Sequence, residues 1–302
     1  MLAGGLRTKA ITKQAQKNKP LVTVVTAVRN AEGTLEETIL SVIHQTYKNV
    51  EYIIIDGAST DNTLNIIGNY ENKIDYWMSE PDNGIYYAMN KGIAQATGEW
   101  INFMNSGDSF YSNDCIEKFM ELYDTQSEVV YGDGQFFYDF GVYINRCTTI
   151  KYDYMTNCHQ AFFVKSHLLK NNYFDTNYRI CADKKFFYDV YKSGYRYQHI
   201  SLVVCNYELI TGFSSLAKNR KKLFSETAEI EGINKSTRGK IRYLIYIVKN
   251  HIKSIMPRKI YVWLMDKKLL SDGFFKTSLS QVSPTKSGVS LSNKKHYQDG
   301  KM

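Results

Sequence analysis

Four short, predominantly apolar runs recur between residues 21 and 105, each followed by a turn and, for the first three, a stretch of helical periodicity. LVTVVTAV (21–28), VEYIIID (50–56), IDYWMSE (74–80) and EWINFMN (99–105) are rich in β-branched and aromatic residues and read as strands buried on both faces. GTLEETILSVIHQTY (33–47) sets Leu35, Thr38, Ile39, Val42 and Ile43 at helical spacing. Thr34 is its expected N-cap, and Glu36 and Glu37 fall in the first turn, where the helix dipole favours negative charge. Further helices are predicted from about Thr63 to Tyr70 and over 85–97, the latter ended by Gly98. This alternation predicts right-handed βαβ units around a mostly parallel sheet. Past residue 110 the pattern mixes: a helix over 113–124, tyrosine-rich strands around 129–147, a helix near 160–171, another over 183–193 and a strand over 197–207.

Composition narrows the class. With 43% hydrophobic and 23% charged residues, 19 glycines and four prolines in 302 residues, a disordered or collagen-like chain is excluded. The longest strictly apolar runs (243–248 and 260–265) have six residues, against the ~20 needed to span a bilayer. The first twenty residues carry Arg7, Lys9, Lys13, Lys17 and Lys19 and no apolar core, so no secretory signal is expected. Cys115, Cys147, Cys158, Cys181 and Cys205 contain no C-x-x-C pair and read as reduced thiols. The formal charge of +8 is concentrated: residues 234–268 hold ten Lys/Arg against Asp266 alone, so the rest is close to neutral. That distribution argues against a uniformly basic nucleic-acid binder.

In open parallel sheets the binding crevice lies at the carboxyl ends of the strands. Strand two ends there in Asp56, strand three in Glu80-Pro81-Asp82-Asn83-Gly84, and strand four in Asn105-Ser106-Gly107-Asp108. Three acid-bearing turns at one edge repel unless a cation or ligand donors offset them. Asp108, on a glycine-flanked turn, is the candidate ligand for a hard divalent cation, which needs few protein oxygens when a diphosphate supplies the rest.

VTVVTAVRNAEGTLEETILSVIHQTYKNVEYIIIDGASTDNT, SEPDNGIYYAMNKGIAQATGEWINFMNSGDSFY and CADKKFF together resemble the family 2 nucleotide-sugar glycosyltransferases of GT-A fold. Among these the chain is most similar to bacterial transferases that build O-antigen and other polysaccharide repeating units. The resemblance runs from about 21 to 207. It implies an α/β GT-A (Rossmann-like) mostly parallel sheet flanked by helices. It implies that Thr26, Ala27, Val28, Asn30 and Asp56 hold the nucleoside, and that Asp82, Asn83, Gly84 and Lys91 line the nucleotide and phosphate side. It places the metal motif on Ser106-Gly107-Asp108, with Asp108 on a Mn²⁺ or Mg²⁺ ion, the catalytic base on Asp183, and His159 near the diphosphate or acceptor. The sequence departs from the pattern at Gly57, where a second acid is usual, at Asn105 and Gly107 in the metal motif, and at Ala182 before the base.

The resemblance implies an inverting transferase that moves a hexose or N-acetylhexosamine, UDP-linked, to a lipid-diphosphate-linked saccharide, in the cytoplasm at the inner face of the plasma membrane. A catalytically weak or inactive nucleotide-binding GT-A-like module is the alternative. A nicotinamide-dependent dehydrogenase predicts G-x-G-x-x-G after the first strand, and AVRNAEG lacks it. Tyr86 and Tyr87 are candidates for sugar stacking. The expected organisation is a basic arm over 1–19, the GT-A domain over 20–215, a basic amphipathic helical extension over 216–270 and a weakly ordered tail over 271–302. The extension interleaves apolar and basic residues in the manner of a helix lying on anionic lipid.

Overall fold

The computed structural model describes residues 1–17, 19–146, 158–209, 219–232, 256–272 and 274–277, with 241, 245 and 248 as isolated positions. The first half runs β1 (Leu2–Gly4), β2 (Val22–Val28), α1 (Leu35–Ile43), β3 (Val50–Asp56), α2 (Thr63–Asn69), β4 (Tyr76–Ser79), α3 (Ile85–Gln95) and β5 (Trp100–Phe103). It continues with β6 (Ser109–Phe110), α4 (Cys115–Leu122), β7 (Val129–Tyr138), β8 (Gly141–Asn145), β9 (Phe162–Lys165), α5 (Ser166–Asn171), α6 (Ala182–Lys192) and β10 (Tyr197–Glu208). The last described elements are α7 (Arg220–Ile230), α8 (Arg258–Ser271) and β11 (Phe274–Thr277).

One mixed sheet holds these strands in the order β1-β4-β3-β2-β5-β9-β7-β10-β6, with β8 beside β7 and β11 beside β8. Strands β4, β3, β2 and β5 are parallel, as the βαβ alternation requires, and β2 and β3 are buried along their whole length. The two longest ladders, β2–β3 and β7–β10, are both parallel. The fold is α/β, with helices packed against the sheet. At the centre of one face, Trp100 is enclosed edge-on by Phe119 and Tyr123, with Lys165 Nζ 4.1 Å from its ring centroid.

Three local expectations change. Residues 160–171, expected as one helix, instead form a 3₁₀ turn (His159–Ala161), strand β9 and only then α5. The aromatic run Phe162–Val164 is buried between β5 and β7, where strand pairing satisfies its backbone on both sides. Because β9 runs antiparallel to β5, its beginning lies beside the end of β5, and His159 arrives next to Asn105. Thr34 stands at the N-cap of α1 without capping it; its hydroxyl instead lies 3.3 Å from that of Ser106. The start of the chain, expected as a basic arm or short surface helix, forms β1, which pairs with β4 at that edge of the sheet, and then a short 3₁₀ helix (Leu6–Lys9) with no buried residue. Arg7 then reaches the buried carboxylate of Glu51. The basic stretch 240–255 and the tail from 278 lie outside the described residues, apart from Ile241, Ile245 and Val248.

Candidate active site

A cleft of about 910 Å³ opens at the carboxyl ends of β2 and β5. The end of β2 supplies Ala27, Val28, Arg29 and Asn30; the loop into α3 supplies Asp82, Asn83 and Gly84; the turn after β5 supplies Asn105, Ser106, Gly107 and Asp108. Gly107 has φ +95°, a conformation glycine adopts without strain, and the turn brings Asp108 back beneath Asn105, whose carbonyl accepts its N–H at 3.0 Å. Asn30 also has positive φ (50°), tolerable for asparagine, and its Oδ1 accepts the Thr60 N–H at 2.8 Å, tying the β2 loop to the β3 loop.

A chain of hydrogen bonds crosses the floor. The Ala27 N–H donates to Asn105 Oδ1 at 3.2 Å, which turns the Asn105 amide nitrogen toward His159 Nε2 at 2.9 Å. Nε2 therefore accepts, and the imidazole proton sits on Nδ1, 3.0 Å from Asp183 Oδ2. The Tyr86 hydroxyl lies 2.8 Å from Asp183 Oδ1, and the Lys184 N–H donates to the same oxygen at 2.8 Å. Asp183 is in the first turn of α6, where the dipole also favours its charge. Burial pushes its carboxyl up, but the hydrogen bonds donated by His159, Tyr86 and the Lys184 N–H outweigh it and hold the group below its ordinary value. Burial, reinforced by the Asp183 charge, keeps the Tyr86 hydroxyl protonated well above its ordinary range. Burial therefore does not by itself activate Asp183.

The cleft lining brings together Ala27, Val28, Asn30, Asp82, Asn83, Gly84, Ser106, Gly107, Asp108, His159 and Asp183 from the sequence expectations. Three others are outside this lining. Thr26 is fully buried and donates to the Met104 carbonyl at 2.7 Å. Asp56 is fully buried too, its oxygens accepting from the Ser59 N–H and from the hydroxyls of Ser59 and Ser79. Lys91 pairs with Glu80 at 2.9 Å and with the Pro81 carbonyl, so it braces the loop that carries Asp82. Tyr86 is buried as a donor to Asp183, not exposed as a stacking platform, and Tyr87 is outside the lining. The repulsion expected among the acid turns is largely met by protein donors: Asp56 as above, Asp82 by the Gly84 N–H, Asp108 by the Gln160 amide.

The profile of the family described as Glycosyl transferase family 2 matches residues 23–199 of the chain. The chain belongs to that family. It is 27% identical over 255 residues to the PGL/p-HBAD biosynthesis glycosyltransferase of Mycobacterium bovis, spanning 78% of this chain and 93% of that protein. An uncharacterized glycosyltransferase of Haemophilus influenzae is 36% identical over 145 residues, 46% of this chain and 57% of that one. Among solved structures, S. aureus TarS 1–349 in complex with UDP superposes with a TM-score of 0.54 at 17% identity, covering 79% of this chain and 76% of that one. The mannosyltransferase PcManGT from Pyrobaculum calidifontis, in complex with GDP-Man and Mn²⁺, gives 0.57 at 16% identity, covering 84% and 81%. These superpositions show the GT-A-like fold.

For a family 2 transferase the remaining question at the cleft is the cation. No cluster of three or more His, Cys, Asp or Glu able to hold a metal occurs among the described residues. Asp108 offers one carboxylate, Ser106 and Thr34 offer hydroxyls, and Gln160 keeps Oε1 buried without a partner. All are hard oxygen donors. The set fits a Mg²⁺ or Mn²⁺ ion that draws its other ligands from a diphosphate, and is too sparse to hold one alone.

Sequence reasoning missed Arg29, Arg179, Gln160 and Tyr207, all in the lining. Arg29 and Arg179 are exposed guanidiniums, suited to phosphate oxygens. Arg29 stands in the quoted VRNAEG stretch and could have been read there; Arg179 and Tyr207 carry no local signal. Gly57 also gains a reason: a Cβ there would lie 2.5 Å from Asp82 Oδ2, so its bare backbone admits the Asp82 carboxylate.

Proposed function

We propose that the chain transfers a hexosyl or N-acetylhexosaminyl group, with inversion, from a UDP-sugar to a lipid-diphosphate-linked saccharide in bacterial surface polysaccharide synthesis. The reaction would take place at the inner face of the plasma membrane. The observation that carries the reading is the Asp183 carboxylate, set in the cleft by His159, Tyr86 and the Lys184 N–H. A module that only binds nucleotides has no use for a carboxylate so held. UDP and UDP-GlcNAc are named in the TarS complexes, which favours this donor class, and the mycobacterial relative is named for PGL/p-HBAD biosynthesis.

In the proposed reaction the acceptor hydroxyl attacks the anomeric carbon from the face opposite the diphosphate. The new C–O bond forms as the bond to diphosphate breaks, and the hydroxyl proton passes to an Asp183 oxygen. The hydroxyl becomes acidic only as that bond forms, so a carboxylate with a lowered pKa can accept the proton late in the step. His159 and Tyr86 fix the direction of the Asp183 oxygens throughout. Arg29 and Arg179 would bind diphosphate charge, and Asp108, with Gln160, Ser106 and Thr34, would hold the divalent ion. When bound, that ion supplies Lewis-acid stabilisation of the departing diphosphate.

The test is a panel of UDP- and GDP-sugars with Mn²⁺ or Mg²⁺, scored for transfer and for donor affinity, with the product anomer read by NMR. Asp183→Asn should lower kcat by about 10²–10⁴ with donor affinity nearly unchanged. Retained turnover in that variant overturns the base, a retained anomer overturns inversion, and turnover with GDP-sugars alone overturns the UDP assignment.

A further inference from the structure

Of the large apolar side chains that the described residues expose, eight lie between Ile241 and Phe275 and six in all the rest. Four of the eight are on α8: Ile260 (49% exposed), Trp263 (57%), Leu264 (42%) and Leu270 (49%). Trp263 and Leu264 follow Ile260 by three and four residues and Leu270 follows Trp263 by seven, which puts all four on one face. Lys259 and Lys267 are exposed on the same face, and Lys267 Nζ lies 5.2 Å from the Trp263 ring centroid. The opposite face packs inward: Leu269 is buried with Phe136, Tyr143 and Phe274.

The acids of this helix are turned away or already paired. Asp266 accepts from the Tyr143 hydroxyl at 2.5 Å and from Lys276 at 2.9 Å, and Asp272, at its end, pairs with Lys268. Arg258 pairs with Asp139 at 3.2 Å. The outward face therefore presents apolar side chains and cations with no acid among them. Protein interfaces are depleted in lysine at their centres, whereas a helix lying in a lipid headgroup layer wants this mixture: apolar bodies sinking below the phosphates and ammonium groups reaching up to them. The chain around the helix extends the same charge, since residues 234–268 carry ten Lys/Arg against one acid.

We infer that the outward face of α8, centred on Trp263 and Leu264, is the surface by which this protein lies on an anionic lipid bilayer. The inference deepens the reading that the acceptor is lipid-linked, and rests on it for its purpose. It also gives the cleft a direction. Leu269 packs with Phe136, Phe136 meets the Tyr207 ring at 5.5 Å, and Tyr207 lines the cleft. The membrane helix thus backs the wall of the cleft formed by Tyr207.

The experiment uses the purified full chain in flotation with phosphatidylcholine vesicles, with and without phosphatidylglycerol. The wild type should float only with the anionic vesicles and should be released by salt. Trp263→Ala/Leu264→Ala should lower the partition coefficient about 10–100-fold. Lys259→Gln/Lys267→Gln should lower it by about tenfold or more. A UDP-induced thermal shift equal to that of the wild type shows that each variant is folded. Brominated lipids should quench the Trp263 emission. Unchanged flotation of both variants, or equal binding to neutral vesicles, overturns the surface. So does a dimer, seen by sedimentation, that Trp263→Ala/Leu264→Ala breaks without altering flotation. Turnover on a soluble acceptor is measured beside it: vesicle binding without turnover overturns the transferase reading and leaves the surface standing, and turnover without vesicle binding does the reverse.

Discussion

His159 has a specific job that its two neighbours define. Asn105 accepts from the Ala27 backbone and so can only donate to Nε2; the proton is confined to Nδ1 and points at Asp183. Donation to the charged form lowers the Asp183 pKa, so the ionised carboxylate persists to pH values below the ordinary carboxylate range. Its ionised form is also favoured by folding, so the stability it contributes is present at neutral pH and is lost as pH falls through the lowered value. Replacing His159 by Leu removes this donor and leaves Tyr86 and the Lys184 N–H. The acid limb of the kcat/KM profile should therefore move to higher pH, while donor affinity changes little. An acid limb that stays in place would show that His159 does not act through Asp183.

Among the elements, α7 has the least obvious role and the most specific contacts. Glu226 is 3% exposed and accepts the backbone N–H groups of Arg179, Ile180 and Cys181 at 2.8–2.9 Å. These are the residues that lead into α6, so one carboxylate clamps the segment that presents both Arg179 and Asp183 to the cleft. Glu226→Gln keeps one accepting oxygen but sets its amide N–H against at least one of these donors and leaves buried groups unsatisfied, at a cost of about 1–3 kcal/mol. A lower melting temperature and a lower kcat should appear together, although residue 226 is outside the cleft lining. A variant with the lower melting temperature and unchanged kcat would make α7 a support for stability alone.

For the whole molecule, the division into a catalytic domain ending near 215 and a separate extension remains our proposal, and the packing sharpens it. The clamp by Glu226 ties α7 to the segment that presents Arg179 and Asp183. β11 pairs with β8, and Leu269 and Phe274 cover Phe136 and Tyr143 in a second, smaller core. Removing everything from residue 234 should therefore keep the main core and the UDP-induced thermal shift. It should also destabilise the protein by about 2–5 kcal/mol, as expected when large apolar side chains are stripped from a packed cluster. Loss of the UDP shift in the truncated chain would place the boundary further along.

The sequence alone determined the parallel core and the chemistry at its edge. Short apolar runs and helical periods are local signals, so β2 to β5 and α1 to α3 were legible to within a few residues, as were the turns bearing Asp82 and Asp108. Only the tertiary structure decided what those turns face. Residues 162–165 are neutral between helix and strand until β5 and β7 offer two edges to pair with, and that choice sets His159 against Asn105. For Asp56 the resemblance implies a nucleoside contact; the hydroxyls of Ser59 and Ser79 that enclose it are visible only once β3 and β4 are side by side. The clamp of Glu226 on the Arg179–Cys181 backbone and the pairing of β1 with β4 join parts of the chain 45 or more residues apart. Such contacts leave no periodicity behind, because their partners are chosen by the closure of the fold and not by the spacing of neighbours. The same holds for α8: its composition showed an amphipathic mixture, and the packing of Leu269 decided which side was left to face outward.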